Sequence, residues 1–194
     1  MKIALTGGIA CGKSMAASYM LGHGVEVCEA DELARDALAE GTQVYEAVVE
    51  RFGRELVTES GAIDRQALAA RVFRSKEDRM ALNALVHPGV EAAWKAWLED
   101  RQGAMAVVVV PLLFETGYAD GWDAVICVCA LHATRIARLR ERGLTEAEAE
   151  ARISAQWPES EKAARADYVL WNDGAAECLE AQVARVLDSI KRGQ

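Results

Sequence analysis

The 194-residue sequence has no excess of basic charge, no long apolar run and no cysteine pair in a metal-binding spacing. Each absence removes a class of function. Lys and Arg number 22 against 30 Asp and Glu, a formal charge of −8, whereas a general nucleic-acid binder carries a basic footprint. An anionic substrate would have to be held by local arginines. No stretch is long enough to cross a membrane as a helix. The first apolar run is short and leads straight into a glycine-rich turn, so no signal peptide is expected. A cytoplasmic protein without nucleic-acid or membrane partners is the expectation. The cysteines Cys11, Cys28, Cys127, Cys129 and Cys178 form no Cys-x-x-Cys pair and have no nearby histidines, which argues against zinc. Internal repeats and low-complexity segments are also missing. What remains, 27% charged and 52% hydrophobic, suits one globular domain with room for a small insertion.

The strongest signal is at residues 7–14, Gly-Gly-Ile-Ala-Cys-Gly-Lys-Ser. They contain Gly-x-x-x-x-Gly-Lys-Ser between an apolar strand-type run, Lys2-Ile-Ala-Leu-Thr6, and a helical composition over residues 15–21. A phosphate-binding loop needs this order of strand, turn and helix. Its glycines let backbone N–H groups converge on phosphate oxygens, and the helix adds its positive dipole end. The pattern assigns Gly8, Ile9, Ala10, Cys11, Gly12 and Lys13 to nucleotide phosphate, and the Ser14 hydroxyl to Mg²⁺. Cys11, beside Lys13 and a helix N-terminus, is expected to have a lowered thiol pKa, and its alkylation to block ATP binding.

Strand-type runs follow at 25–28, 106–110, 124–129 and 168–171, with helical patterns between them. Helices are expected over 32–39, 44–52, 65–73, from Ser75 to Pro88, onward from Pro88, over 134–142, from Thr145 to about 156, and at the C-terminus. Asp64 reads as an N-cap, Ser75 with Asp78 and Thr145 with Glu148 as capping boxes, and Pro88 as a helix boundary. Leu68, Val72 and Phe73 share one helix side; Trp94 and Trp97 read as core. Alternating strands and helices predict an α/β fold, a five-stranded parallel sheet with helices on both faces. Ligands then gather at the strands' C-terminal ends, where Gly7, Asp31, Glu115 and Asn172 fall.

Asp31, just past the second strand, is placed to accept a substrate hydroxyl proton or hold a Mg²⁺ water, and as a compatible role to cap the next helix. Glu29 shares its face if the chain is extended there. Arg135, Arg138 and Arg142 fall at i, i+3 and i+7. Such a row can close over ATP and stabilise transferring charge, or it can be a solvated face paired with Glu141 and Glu146. His87 reads as a helix boundary.

With these pieces in place, the chain resembles the dephospho-CoA kinase family from Ile3 to Gly174. The likeness rests on Leu5-Thr-Gly-Gly-Ile9 with Gly12-Lys-Ser14, Glu29-Ala-Asp31 and Leu82-Asn-Ala-Leu-Val-His-Pro88. Pro111-Leu-Leu-Phe-Glu115, Arg138, Arg142, Gln156 and Asn172-x-Gly174 add to it. The resemblance implies a P-loop kinase-like domain over 1–194, with a helical substrate-binding insertion at about 60–100 and a lid at about 132–160. It implies ATP-dependent phosphorylation of the ribose 3′-hydroxyl of dephospho-CoA, with ATP and Mg²⁺, by a chain expected to be a monomer. Asp31 becomes the base, Lys13 and Arg138 act on phosphate, and Arg142 and Asn172 join the ATP site. Thr6, Asp31, Arg65, His87 and Leu113 become substrate contacts. The chain departs from the family pattern at Ala10-Cys11, where Gly-Ser is usual, at Glu29 for Asp, and at Met15 for Thr.

A nucleoside-monophosphate kinase would share loop, base and lid, but leaves residues 63–88 unexplained. A GTP-dependent switch would carry an Asn/Thr-Lys-x-Asp motif, which is absent, and its Asp-x-x-Gly would follow the third strand, whereas Asp100-Arg-Gln-Gly103 precedes it.

Overall fold

A computed structural model describes residues 1–193, apart from the side chain of Phe73. The expected helix face of Phe73 therefore lies outside the described residues.

Five strands form one sheet: β1 (Lys2–Gly7), β2 (Glu26–Glu29), β3 (Ala106–Val109), β4 (Ala124–Cys129) and β5 (Tyr168–Trp171). Their order is β2-β3-β1-β4-β5, and β1 pairs in parallel with both β3 and β4. Every residue of β3 and β4 is buried, which is why both read as continuous apolar runs. Leu5 lies in register between Val109 and Ile126 at the sheet centre.

The chain divides into two compact units, residues 1–28 with 101–194, and residues 29–100. In the first, α1 (Lys13–Gly22) and α9 (Ala176–Arg192) cover one sheet face. Ala16, Ala17 and Met20 from α1 and Leu179, Val183 and Leu187 from α9 join Ile3, Leu5, Ile126 and Val128 in the main core. Alternation leaves Cys127 and Cys129 on the other face. There α8 (Glu159–Arg165) packs against β4 and β1. Two more helices, α6 (His132–Glu141) and α7 (Glu146–Ser154), follow β4. Thr145 and Glu148 close the expected capping box: Thr145 N–H donates to Glu148 Oε2 (2.8 Å), and Glu148 N–H to Thr145 Oγ1 (3.3 Å).

The second unit is helical: α2 (Ala30–Ala37), α3 (Gln43–Phe52), a 3₁₀ turn (Arg54–Leu56), α4 (Arg65–Arg74) and α5 (Lys76–Glu99). Tyr45, Val48, Phe52, Leu56, Ile63 and Leu68 make its own core. Asp64 caps α4 through the N–H groups of Gln66 and Ala67, as expected. Ser75 accepts from Asp78 N–H, but the Asp78 carboxylate turns to Arg51 and Arg71, so the reciprocal half of that box is absent.

Pro88 corrects the expectation of two helices, because α5 runs through it for 24 residues. Val86, Val90, Trp94 and Leu98 recur at i+4 and are all buried, so one packed stripe spans the proline. Pro88 and Ala84, whose carbonyl loses its partner, are both exposed, where water replaces the missing bond.

Candidate active site

The phosphate loop leaves β1 at Gly7 and ends at Gly12, the residue before α1. Its conformation is strained by design of the sequence. Gly12 sits at φ +98°, and a Cβ there would collide with the Asn172 side-chain amide, so only glycine fits. Ala10 sits at φ +62°, the one non-glycine residue with positive φ among the described residues. That conformation costs an L-residue about 1–2 kcal/mol. Its methyl is buried beside Leu139 and Ala149, which offsets part of the cost.

Three successive loop carbonyls are drawn outward by side chains. Ile9 O accepts from Arg135 Nε (2.9 Å), Ala10 O from Arg138 Nη1 (3.0 Å), and Cys11 O from Asn172 Nδ2 (2.8 Å). A peptide N–H points opposite to its C=O, so the N–H groups of Ala10 and Gly12 turn to the concave side, as in an anion-binding nest. The intervening Cys11 N–H closes a turn onto Gly8 O (3.3 Å). Lys13 Nζ bridges the carbonyls of Gly7 (2.9 Å) and Gly8 (3.0 Å), which holds an ammonium over the loop. No side chain caps α1, so its first turn is left for an anion.

The arginine row is not one solvated face. Arg135 is 5% exposed, and its guanidinium forms an ion pair with Glu159 (2.8 Å) while holding Ile9. Arg138 spans the loop and the Asn172 carbonyl (2.8 Å). Arg142 falls one residue past α6, as its C-cap, and is exposed. The helix expected over 134–142 thus begins and ends earlier than its arginines suggest.

Cys11 overturns the expectation of a reactive thiol. It has no solvent exposure, and its pKa is pushed up from 9.0 to about 12. Burial does most of this and the Glu159 carboxylate adds to it, outweighing Arg135 and Lys13. Cys11 Sγ donates to Glu159 Oε2 at 3.3 Å.

The other expected residues lie as follows. Asn172 is buried, and its amide serves the loop. Thr6 and Leu113 have no solvent exposure, so neither presents its side chain to a substrate here; Thr6 donates to Pro111 O (3.4 Å) instead. Ser14 is the second residue of α1 and exposed. In the helical unit, Asp31 is exposed in the first turn of α2, one residue after its start, so Glu29 is the N-cap and the extended-chain face shared by the two is absent. Arg65 opens α4 and is exposed. His87 is half-buried in α5, which lowers its pKa.

Sequence reasoning missed Glu159, and found Gln156 only within a family motif. Gln156 Oε1 accepts the Ile9 N–H (2.8 Å). Glu159 lies in a seven-residue helix with no motif to mark it. A second buried pair, Lys162 with Glu115, stands beside the Pro111 carbonyl. Among the described residues no group of His, Cys, Asp and Glu is arranged to hold a metal, and no helix is long and apolar enough to cross a membrane.

A family model described as dephospho-CoA kinase matches residues 1–177. A dephospho-CoA kinase of Gloeobacter violaceus is 41% identical over 187 residues, covering 96% of this chain and 91% of the relative. A crystal structure from Thermus thermophilus superposes with a TM-score of 0.82 at 37% identity, covering 97% of both chains. That of dephospho-CoA kinase from Campylobacter jejuni gives 0.73 at 28% identity, covering 100% of this chain and 99% of the other. With its P-loop kinase-like sheet and its near-complete match to these proteins, the chain belongs to the dephospho-CoA kinase family.

Proposed function

We propose a division of labour by which this chain phosphorylates the ribose 3′-hydroxyl of dephospho-CoA with ATP. The observation that carries it is the loop of residues 7–14, with its carbonyls held outward and Lys13 held above it. The N–H groups of Ala10, Gly12 and the first turn of α1 receive the phosphates, and Lys13 leaves the Gly7 and Gly8 carbonyls for the β/γ oxygens. Arg138 keeps the loop in shape and lends positive charge to the transferring group, and the exposed Arg142 joins it from the end of α6. Asp31 takes the proton from the 3′-hydroxyl, a role that its place just after β2 and its exposed carboxylate support. Arg65 and His87 contact dephospho-CoA.

The Ser14 hydroxyl, a hard oxygen in the first turn of α1, fits Mg²⁺ and would hold it there. When bound, the ion neutralises phosphate charge. The protein's part is positioning and charge stabilisation, because phosphoryl transfer needs little covalent chemistry from side chains.

The test is ADP release with Mg-ATP and dephospho-CoA, adenosine, AMP or pantetheine as acceptor, with the product mass determined. One phosphate gained on dephospho-CoA alone is the expected result. Turnover of AMP would keep the loop and overturn the acceptor.

A further inference from the structure

We infer that the pair of the buried Arg135 with the partly buried Glu159 is a positioning device for the phosphate loop, one that sets its affinity for nucleotide phosphate. The inference rests on reading that loop as the ATP site.

The pair touches the loop at three points. Arg135 Nε holds Ile9 O at 2.9 Å. Its guanidinium lies against Gly8, where a Cβ would come within 2.7 Å of Nη2. Glu159 Oε2 takes both Arg135 Nη1 (2.8 Å) and Cys11 Sγ (3.3 Å), while Oε1 accepts the Ala130 N–H at the end of β4. The N–H of Ile9, in the preceding peptide, is gripped by Gln156, three residues before Glu159. One short stretch, residues 156–159, therefore fixes both backbone groups of Ile9, and so the two peptides that flank it, directly and through Arg135. A loop with Ala10 at φ +62° does not relax into this shape unaided.

Electrostatics give the pair a second role. Glu159 places a carboxylate beside a loop built for anions, and its charge would repel phosphate if it were uncompensated. Arg135 cancels it at 2.8 Å. The two removals are thus unequal. Arg135→Gln leaves the Glu159 charge uncompensated beside the loop and loosens Ile9. Glu159→Gln leaves a cation that loosens the loop but still attracts them. Removing both charges abolishes the repulsion. A scaffold without this role would show loss of stability and no such order.

The experiment measures Mg-ADP affinity by calorimetry, KM for ATP and for dephospho-CoA, and Tm, for wild type, R135Q, E159Q and R135Q/E159Q. R135Q is expected to weaken Mg-ADP binding about thirtyfold, as for one partner of a buried charge pair, E159Q about threefold, and the double variant about fivefold. KM for dephospho-CoA stays within about twofold throughout. Should R135Q not fold, E159Q and the double variant still decide, since they must lie close together and both above wild type. Unchanged nucleotide affinity with only a lower Tm overturns the inference, as does a double variant at least as weak as the product of the single losses. A wild type that turns over dephospho-CoA but fails this ordering sinks the inference alone. A wild type that binds no Mg-ADP sinks the ATP-site reading, and the inference with it.

Discussion

The surroundings of the phosphate loop and the helical unit hold their charges differently. Beside the phosphate loop Arg135 is buried against Glu159, whose side chain is 14% exposed, and Arg135 and Arg138 are bound to backbone carbonyls. In residues 29–100 the basic partners are open to solvent: the Arg35 side chain, paired with Glu32, is 54% exposed, and those of Arg51 and Arg71, paired with Asp78, are 39% and 37% exposed. Asp31 and Arg65, to which the proposed chemistry assigns proton transfer and substrate contact, are exposed. The difference teaches where preorganisation is built in. The proposed nucleotide side is built on a buried guanidinium whose desolvation is offset by fixed partners. The proposed acceptor side keeps its assigned groups in water, where they cost little to hold and would gain strength only when substrate excludes solvent.

The contrast is broken most sharply by exchanging the side that is damaged. Asp31→Asn should lower kcat by about two to four orders of magnitude with ATP affinity retained, since only the proton acceptor is lost. An unchanged kcat in stopped-time assays removes Asp31 as base. Lys13→Ala, on the other side, should cut kcat/KM for ATP by about a thousandfold and weaken nucleotide binding as well.

Next in size is Gly12→Ala, which combines positive φ with a collision at Asn172. A loss of about 3 kcal/mol is expected, read by calorimetry as a fall in Tm of roughly 6–12 °C. A variant of wild-type Tm would mean that the loop is softer than the buried clamps imply.

Alkaline titration sharpens the same point. The Cys11 thiol has a raised pKa when folded, so its contribution is complete below pH 9.0 and is lost as pH rises toward about 12. Within that window the unfolded state gives up a proton that the folded state keeps, at up to about 1.4 kcal/mol per pH unit. Denaturation of wild type and Cys11→Ala across pH 8–11 should show the extra slope in wild type alone. Equal slopes would assign the thiol an ordinary pKa. Iodoacetamide at pH 8 should accordingly label the exposed Cys178 before Cys11.

The smallest effect is expected at Ala10→Gly. Relief of about 1–2 kcal/mol of strain is set against about 0.8 kcal/mol of methyl burial and the entropy of a glycine. Tm should move by no more than about 2 °C. A gain of 5 °C would show that the packing against Leu139 and Ala149 is worth nothing.

Much of the fold was legible because local chemistry decided it. The runs at 106–110 and 124–129 are apolar throughout, and Asp64 and Thr145 announce their helices by capping. The phosphate loop was legible for the same reason, since its glycines and Lys13 act within eight residues. Pro88 misled because the propensity of one residue was outweighed by a buried stripe of four. Arg135 misled because i, i+3, i+7 spacing tells which residues share a face but not what that face meets. Its partner Glu159 lies 24 positions on, in a helix too short to show periodicity. Cys11 was read from its sequence neighbours, Lys13 and a helix start, whereas its pKa is set by burial and by a distant carboxylate.

Pro88 carries one more consequence. The amide ladder of α5 lacks a rung there, with the buried Val90, Trp94 and Leu98 anchored beyond it and the buried Val86 before it. Deuterium uptake should therefore divide this single helix into two stretches of unlike lifetime, residues 76–87 exchanging sooner and residues 90–99 later.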